Sequence, residues 1–233
     1  MANLPERQIP FKFSKCGLPN APGLDPEAFA LELSQIPRAE RMAMVRTWVQ
    51  DRSPAAFSTS PYLWEAVREW IAKRYSLSPR QIGLSGSAQI GFSTHPWKAF
   101  APFNKNGSDL DLYIVSDSLF ATLEREANLF VSRQMSAGKS DFVEQADTTS
   151  RALARGYVDI RHVPARDLYP TCARLKNDAS IIIDKLKLAG FNLKPSHFRI
   201  YRDWSAKAAW TNIQVNSWAS SPQPISTHSD IPM

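Results

Sequence analysis

Two aspartates separated by a single residue, Asp109 and Asp111, are the clearest candidates for chemistry in this sequence. They open an apolar segment that predicts a β-strand over residues 109–115. Residues two apart on a strand point to the same face, so both carboxylates should face one site while the leucines beside them are buried. Two like charges held this close repel unless a cation lies between them, and carboxylate oxygens are the ligands that Mg²⁺ takes. The pair therefore predicts a metal site.

Gly86 and Ser87 form a second candidate, directly after a short strand predicted over residues 81–85. A Gly-Ser turn offers backbone N–H groups and a hydroxyl to a phosphate, and glycine leaves room for close approach. Protein-bound Mg²⁺ usually brings phosphates with it. Residues 84–117 thus combine a predicted phosphate turn with a predicted metal strand.

A third carboxylate, Asp159, lies in an alternating segment over residues 156–163 that predicts another strand and is ended by a proline. Alone, such a residue is more often part of a sheet surface, but its position after Asp109 and Asp111 favours a place in the same site. Arg161 shares its face. The sequence leaves open whether Arg161 neutralises a phosphate or forms an ion pair with Asp159.

The combination of Gly86, Ser87 and Gly91 with Asp-x-Asp on an apolar strand resembles the signature of the DNA polymerase beta-like nucleotidyltransferase superfamily. The template-independent members are the most similar ones, which include CCA-adding enzymes, oligoadenylate synthases and small stand-alone nucleotidyltransferases. The resemblance covers about residues 84–163 and identifies no subfamily. It implies an α+β fold in which a small mixed sheet is flanked by helices, and it makes Asp159 the expected third carboxylate.

The resemblance also implies an activity. Asp109, Asp111 and Asp159 would bind two Mg²⁺ or Mn²⁺ ions, and Gly86 and Ser87 would hold the β- and γ-phosphates of ATP or another NTP. The reaction would transfer a nucleoside monophosphate to a hydroxyl of RNA, a protein or another nucleotide, with release of pyrophosphate.

A long link over residues 92–107 separates the turn from the aspartate strand and mixes aromatic with basic residues. Links of this length are often functional. Its aromatic rings could stack a base or simply anchor the link on the core. Lys98 is its candidate for a phosphate contact.

Other functions stay open at this point. The same fold could bind a nucleotide or a partner protein without turnover, or it could make a cyclic or oligonucleotide second messenger. An α/β-hydrolase is disfavoured because the residues around Ser85 lack G-x-S-x-G spacing. A P-loop is disfavoured because no Gly-Lys-Ser/Thr follows the glycines.

Composition sets broad limits on partners and location. The 233 residues carry 28 Lys and Arg against 22 Asp and Glu, a net charge of +6, which favours a polyanionic partner such as RNA or a nucleotide. No apolar run approaches the about 18 residues of a membrane helix, and no secretory signal is recognisable. Cys16 and Cys172 have no zinc-like spacing. We expect a cytoplasmic protein that does not bind membranes.

The predicted organisation has four parts: an irregular arm over residues 1–24, a core with leading helices over 25–163, a C-terminal helical part over 164–216 and a disordered tail over 217–233. Caps and apolar spacing predict helices over residues 25–35, 38–51, 60–75, 118–135, 140–154, 178–189 and 196–214. The last two should form a helical pair beside the nucleotide cleft.

Overall fold

The computed structural model describes residues 25–37, 40–46, 52–93, 98, 100–137 and 142–219. This part of the chain is an α+β fold, as the sequence predicts. Its strands are β1 (Ile82–Ser85), β2 (Asp111–Val115), β3 (Tyr157–Asp159) and β4 (His197–Tyr201). Its helices are α1 (Pro26–Gln35), α2 (Arg41–Val45), α3 (Pro61–Tyr75), α4 (Gly86–Ile90), α5 (Asp117–Ala137), α6 (Val143–Ala154), α7 (Pro170–Leu188) and α8 (Trp204–Ala219).

The four strands form one mixed sheet in the order β1-β2-β4-β3. Strand β1 runs antiparallel to β2, β4 runs parallel to β2, and β3 runs antiparallel to β4. The register aligns Asp111 with Ser85 on one side and with His197 on the other. Two residues further along β4, Arg199 is aligned with Tyr113 of β2 on one side and with Asp159 of β3 on the other.

The two faces of the sheet differ in chemistry because side chains alternate along each strand. One face is apolar, and its leucine, isoleucine, valine and phenylalanine side chains pack with residues of α3, α5 and α7 in the main core. Each such side chain contributes about 1.5–3 kcal/mol of folding free energy when fully buried. The other face carries Tyr113, Tyr157 and Tyr201, which cluster with Trp210 of α8. This second face also carries the charged residues, so it positions the candidate site.

Local signals predict several elements correctly. Asp25 caps α1, and its Oδ1 accepts a hydrogen bond of 3.0 Å from the Glu27 backbone N–H. Pro61 begins α3. Strand β1 and helices α5 and α6 lie where the sequence places them, within a few residues.

The predicted helix over residues 196–214 is wrong in its first part. His197–Tyr201 is a strand, and the helix begins only at Trp204. Phe198 and Ile200 are buried on the apolar face while their neighbours point to the other face, which is the period of a strand. The C-terminal part of the chain therefore supplies a central strand of the sheet as well as helices.

Smaller differences concern element boundaries. Helix α7 begins at Pro170, eight residues before its predicted start, and β2 begins at Asp111, so Asp109 precedes the strand. The predicted arm over residues 1–24 lies outside the described residues, as does most of the predicted tail, whose first residues belong to α8. Of the helix predicted over residues 38–51, the structure describes α2 and the residues beside it.

The link over residues 92–107 is anchored by its aromatic rings. Phe92 is buried, and its ring lies 5.9 Å from that of Phe29 and 6.0 Å from that of Phe100. Phe103 packs against the main core. These three rings therefore anchor the link, whereas His95 and Trp97 lie outside the described residues. In the part of the chain that the structure describes, no helix is both long and apolar enough to cross a membrane.

Candidate functional site

A cleft of about 590 Å³ opens at one end of the polar sheet face. Strands β1, β2 and β4 and the start of α4 contribute to it, together with the link, the segment after β3 and helix α8. Six of the seven predicted site residues line it: Gly86, Ser87, Lys98, Asp109, Asp111 and Arg161. The seventh, Asp159, is buried beneath its wall.

Gly86 brings the backbone against the Asp111 carboxylate. Its φ angle of +64° lies in the left-handed region, which glycine adopts without strain. A Cβ atom at this position would lie 2.7 Å from Oδ2 of Asp111, closer than the two atoms can approach. The turn predicted here is thus a left-handed glycine that opens the short helix α4, and a Cβ atom at this position would displace the Asp111 carboxylate.

Asp111 is paired with a residue that the sequence prediction missed. Nε2 of His197 lies 3.1 Å from Oδ1 of Asp111 across the β2–β4 pair. Burial raises the pKa of Asp111, but the interactions with His197 and the positive charges of Arg199 and Arg161 outweigh it, so the pKa lies below its ordinary value. Asp111 is therefore ionised at neutral pH and can bind a cation.

Asp109 lies two residues before Asp111 and also lines the cleft. Its side chain is half-buried and forms neither a hydrogen bond nor an ion pair with any residue that the structure describes. The two carboxylates thus differ: Asp111 is held by His197, whereas Asp109 is unengaged. An unengaged carboxylate beside a held one suits a ligand that arrives from solvent.

The structure does not bring Asp159 together with this pair. Strand β4 lies between β2 and β3, so Asp159 is two strand spacings, about 10 Å, from β2. Through Arg199 of β4, Asp159 is aligned with Tyr113 of β2, which lies two residues after Asp111. The sequence reading placed Asp159 in a three-carboxylate site because it did not include β4. The described residues accordingly contain no group of three or more His, Cys, Asp or Glu that could hold a metal.

Asp159 is instead surrounded by arginine. Its Oδ1 accepts hydrogen bonds from the backbone N–H and the Nε of Arg161, at 3.1 and 3.0 Å. Its Oδ2 accepts from a terminal nitrogen of Arg161 at 2.6 Å and of Arg199 at 2.9 Å. Burial raises the pKa of Asp159, but these bonds and charges hold it well below the ordinary range. The ion pair between Arg161 and Asp159 is therefore confirmed.

Among the described residues, four side chains supply the positive charges of the cleft. Arg161 is 46% exposed and Arg199 is 14% exposed, and both line the cleft. Lys98 and Lys194 lie at its exposed rim, where the backbone N–H of Lys194 donates to the Ser108 carbonyl at 3.0 Å. A cleft with four cationic groups and two facing carboxylates favours a ligand that combines an anion with a metal cation.

Helix α8 closes the cleft on its far side. The Arg199 guanidinium lies 5.1 Å from the Trp210 ring and 5.4 Å from the Tyr157 ring, and these two rings also contact each other. Nε of Arg199, the Tyr201 hydroxyl and Nε1 of Trp210 are buried and form no hydrogen bond of good geometry with the described residues. The arginine and tryptophan donors add to the positive electrostatic potential of this wall.

Sequence reasoning missed four residues of the site: His197, Arg199, Lys194 and Trp210. The segment His197–Tyr201 alternates buried apolar with polar or aromatic residues and follows a proline closely, which is a strand signal. That alternation could have identified β4 and with it the two polar residues that face Asp111 and Asp159.

The donors present fit one magnesium ion. Mg²⁺ is typically bound by one or two carboxylates and completes its shell with water and substrate phosphates, which matches Asp109 and Asp111. A second ion would need Asp159, whose oxygens are engaged by Arg161 and Arg199.

No protein-family model matches the chain, nor does any curated protein or solved structure. The relation to nucleotidyltransferases therefore stays a prediction from the motif.

Proposed function

We propose that this protein is a metal-dependent nucleotidyltransferase that moves a nucleoside monophosphate from an NTP to a hydroxyl acceptor and releases pyrophosphate. One observation carries the proposal: the left-handed backbone of Gly86 lies directly against the carboxylate of Asp111, inside a cleft that also holds Asp109. A turn free of side-chain bulk beside a carboxylate pair can receive a phosphate and its cation together.

Each residue then has a defined task. Asp109 and Asp111 hold the Mg²⁺ or Mn²⁺ ion, and His197 keeps Asp111 oriented and ionised. The Gly86 backbone and the Ser87 hydroxyl bind the phosphates. When bound, the ion stabilises the charge of the leaving pyrophosphate.

We propose a single resident ion in place of the two that the motif implies, because Asp159 is engaged elsewhere. The net charge of +6 supports a polyanionic acceptor such as RNA. The buried Cys172 thiol, which forms no disulfide within the described residues, is compatible with the cytoplasmic location that we propose.

One observation favours a second candidate, a nucleotide-binding module that does not turn over. Asp159 forms ion pairs with Arg161 and Arg199 and is separate from Asp109 and Asp111. The cleft could therefore bind a nucleotide while it lacks the full set of metal ligands for catalysis. The two candidates share the nucleotide and differ in the release of pyrophosphate.

A turnover experiment separates them. The full chain is incubated with each of four α-labelled NTPs, Mg²⁺ or Mn²⁺, and RNA, free nucleotides or no added acceptor. The proposed enzyme releases pyrophosphate and transfers label to one acceptor. Replacing Asp109→Asn and Asp111→Asn together should lower the rate at least about a hundredfold, because the cation contributes several kcal/mol to the transition state.

A matched control is Arg151→Gln, which removes a charge from an exposed ion pair on α6, outside the cleft. It should leave the rate unchanged. Thermal stabilisation by NTP and Mg²⁺ without any pyrophosphate would favour the binding module instead.

A further inference from the structure

The wall of the cleft beside the carboxylate pair is built from arginine and has no assigned role in the proposed reaction. Arg161 and Arg199 come from two elements, the segment after β3 and strand β4, and both reach the cleft. Their guanidinium groups meet on one carboxylate oxygen, Oδ2 of Asp159, at 2.6 and 2.9 Å. Two cations that would otherwise repel are thus held side by side.

The position of Asp159 fits a supporting role. Its side chain is 3% exposed, and it accepts four hydrogen bonds, three of them from Arg161. The fork of Arg161 is bidentate, a geometry that fixes the plane of the guanidinium. Asp159 thus fixes the plane of the Arg161 guanidinium from the buried side. Because Arg161 is 46% exposed, its remaining N–H groups are left for a ligand in the cleft.

The surroundings add positive potential, and the nearest second anion is Asp111 on the neighbouring strand. Within the described residues, Nε of Arg199 and Nε1 of Trp210 are buried and form no hydrogen bond of good geometry, and Lys194 lies at the rim of the same cleft. The other described carboxylates that line the cleft are Asp109 and Asp111, and β2, which carries Asp111, is one strand spacing, about 5 Å, from the strand of Arg199. Guanidinium groups match phosphate oxygens in geometry as well as in charge.

We propose that Arg161 and Arg199 form a phosphate-binding subsite that works without a metal ion, and that Asp159 is the positioning residue that holds them. The subsite deepens the proposed function and rests on it for the claim that the phosphate belongs to a nucleotide substrate. Asp159 then acts on the ligand through the two arginines.

The first test is calorimetric titration of inorganic pyrophosphate into the full chain with a chelator present, so that neither metal nor turnover takes part. The wild-type chain should bind, and Arg161→Gln should weaken binding about tenfold or more, because it removes a charge-assisted contact. Arg151→Gln is the matched control, since it removes an arginine from an Arg–Asp pair of 2.8 Å outside the cleft. Equal affinity in Arg161→Gln and wild type overturns the subsite.

Asp159→Asn tests the positioning role, because the lost charge and the lost orientation of the arginines should change the affinity for pyrophosphate in opposite directions. Loss of a negative charge alone would tighten pyrophosphate binding, whereas release of the two guanidiniums should weaken it about tenfold. Tighter or unchanged binding in a folded variant overturns the positioning role. If this variant does not fold, Arg161→Lys decides: it keeps the charge and loses the fork, so wild-type affinity would overturn the role and weaker binding would support it.

Two further titrations identify the source of the phosphate and separate this proposal from the enzyme activity. A loss in Arg161→Gln that is seen with NTP assigns the subsite to the donor, and a loss seen with a 5′-phosphorylated dinucleotide assigns it to the acceptor. A chain that binds pyrophosphate without metal but releases none from any NTP keeps the subsite and refutes the transferase. A chain that turns over NTP but binds pyrophosphate only with Mg²⁺ keeps the transferase and refutes the subsite.

Discussion

Replacing Lys207→Met should stabilise this protein near and below neutral pH. Lys207 lies on α8 beneath the polar sheet face and is 2% exposed. Its Nζ donates to Oγ1 of Thr211 at 2.7 Å and lies 4.6 Å from the centre of the Tyr113 ring. It forms no ion pair within the described residues, so a buried ammonium is compensated only by a hydroxyl and by aromatic rings.

The magnitude follows from the pKa of Lys207. Burial lowers this pKa from its ordinary value of 10.5 to about 7, and the charge of Arg199 acts in the same direction. Between these values the unfolded chain holds a proton that the folded chain does not, so stability rises with pH across that window. Below about pH 7, Lys207 is protonated in both the folded and the unfolded chain, and burial of its charge lowers the free energy of unfolding by about 5 kcal/mol at most. The hydrogen bond and the cation–π contacts offset part of it, which leaves about 3 kcal/mol.

The assay is urea unfolding of the wild type and of Lys207→Met at about pH 6, 7.5 and 9, with Lys187→Met, at an exposed position of α7, as the matched control. The Lys207 variant should be more stable by about 3 kcal/mol at the lowest pH, and its advantage should shrink as pH rises. The control should show no such trend. A difference that is constant with pH, or a variant that is less stable at about pH 6, would refute this reasoning.

Two further substitutions test the site. Gly86→Ala should weaken binding of NTP with Mg²⁺ in a titration, because its Cβ would lie 2.7 Å from Oδ2 of Asp111. Gly190→Ala is the control, because Gly190 has a similarly positive φ of +85° but no heavy atom within 4 Å of an added Cβ. Both variants should lose about 1–2 kcal/mol of stability, and only Gly86→Ala should lose binding. His197→Phe should raise the pKa of Asp111, followed by carboxyl NMR, because it removes a hydrogen bond and a positive charge; an unchanged pKa would show that His197 does not hold this carboxylate.

The parts of the fold that the sequence predicts correctly are those with local causes. Asp25 and Pro61 mark helix starts because a cap needs only its own first turn. The contact between Gly86 and Asp111 has a non-local cause, because it is the antiparallel β1–β2 pair that brings Ser85 opposite Asp111. Lys98 and Arg161 also line the cleft. Their contact with a phosphate stays a prediction.

The parts that it missed depend on which strands are neighbours. Phe198, Ile200, Tyr201 and Trp204 fit a helical spacing almost as well as the strand that most of them form, because short apolar runs satisfy both periods. Pairing with β2 and β3 decides for the strand. That one element moves Asp159 away from Asp111 and places His197 there instead, so strand order, which no local pattern encodes, set the composition of the site.

Pyrophosphate release from an NTP in the presence of Mg²⁺, compared between the wild-type chain and the Asp109→Asn, Asp111→Asn double variant, tests the central claim most directly. We expect release by the wild type and a rate at least about a hundredfold lower in the double variant, with Arg151→Gln equal to wild type. Release at the same rate in the double variant, or none from the wild type with any NTP and acceptor, would contradict it.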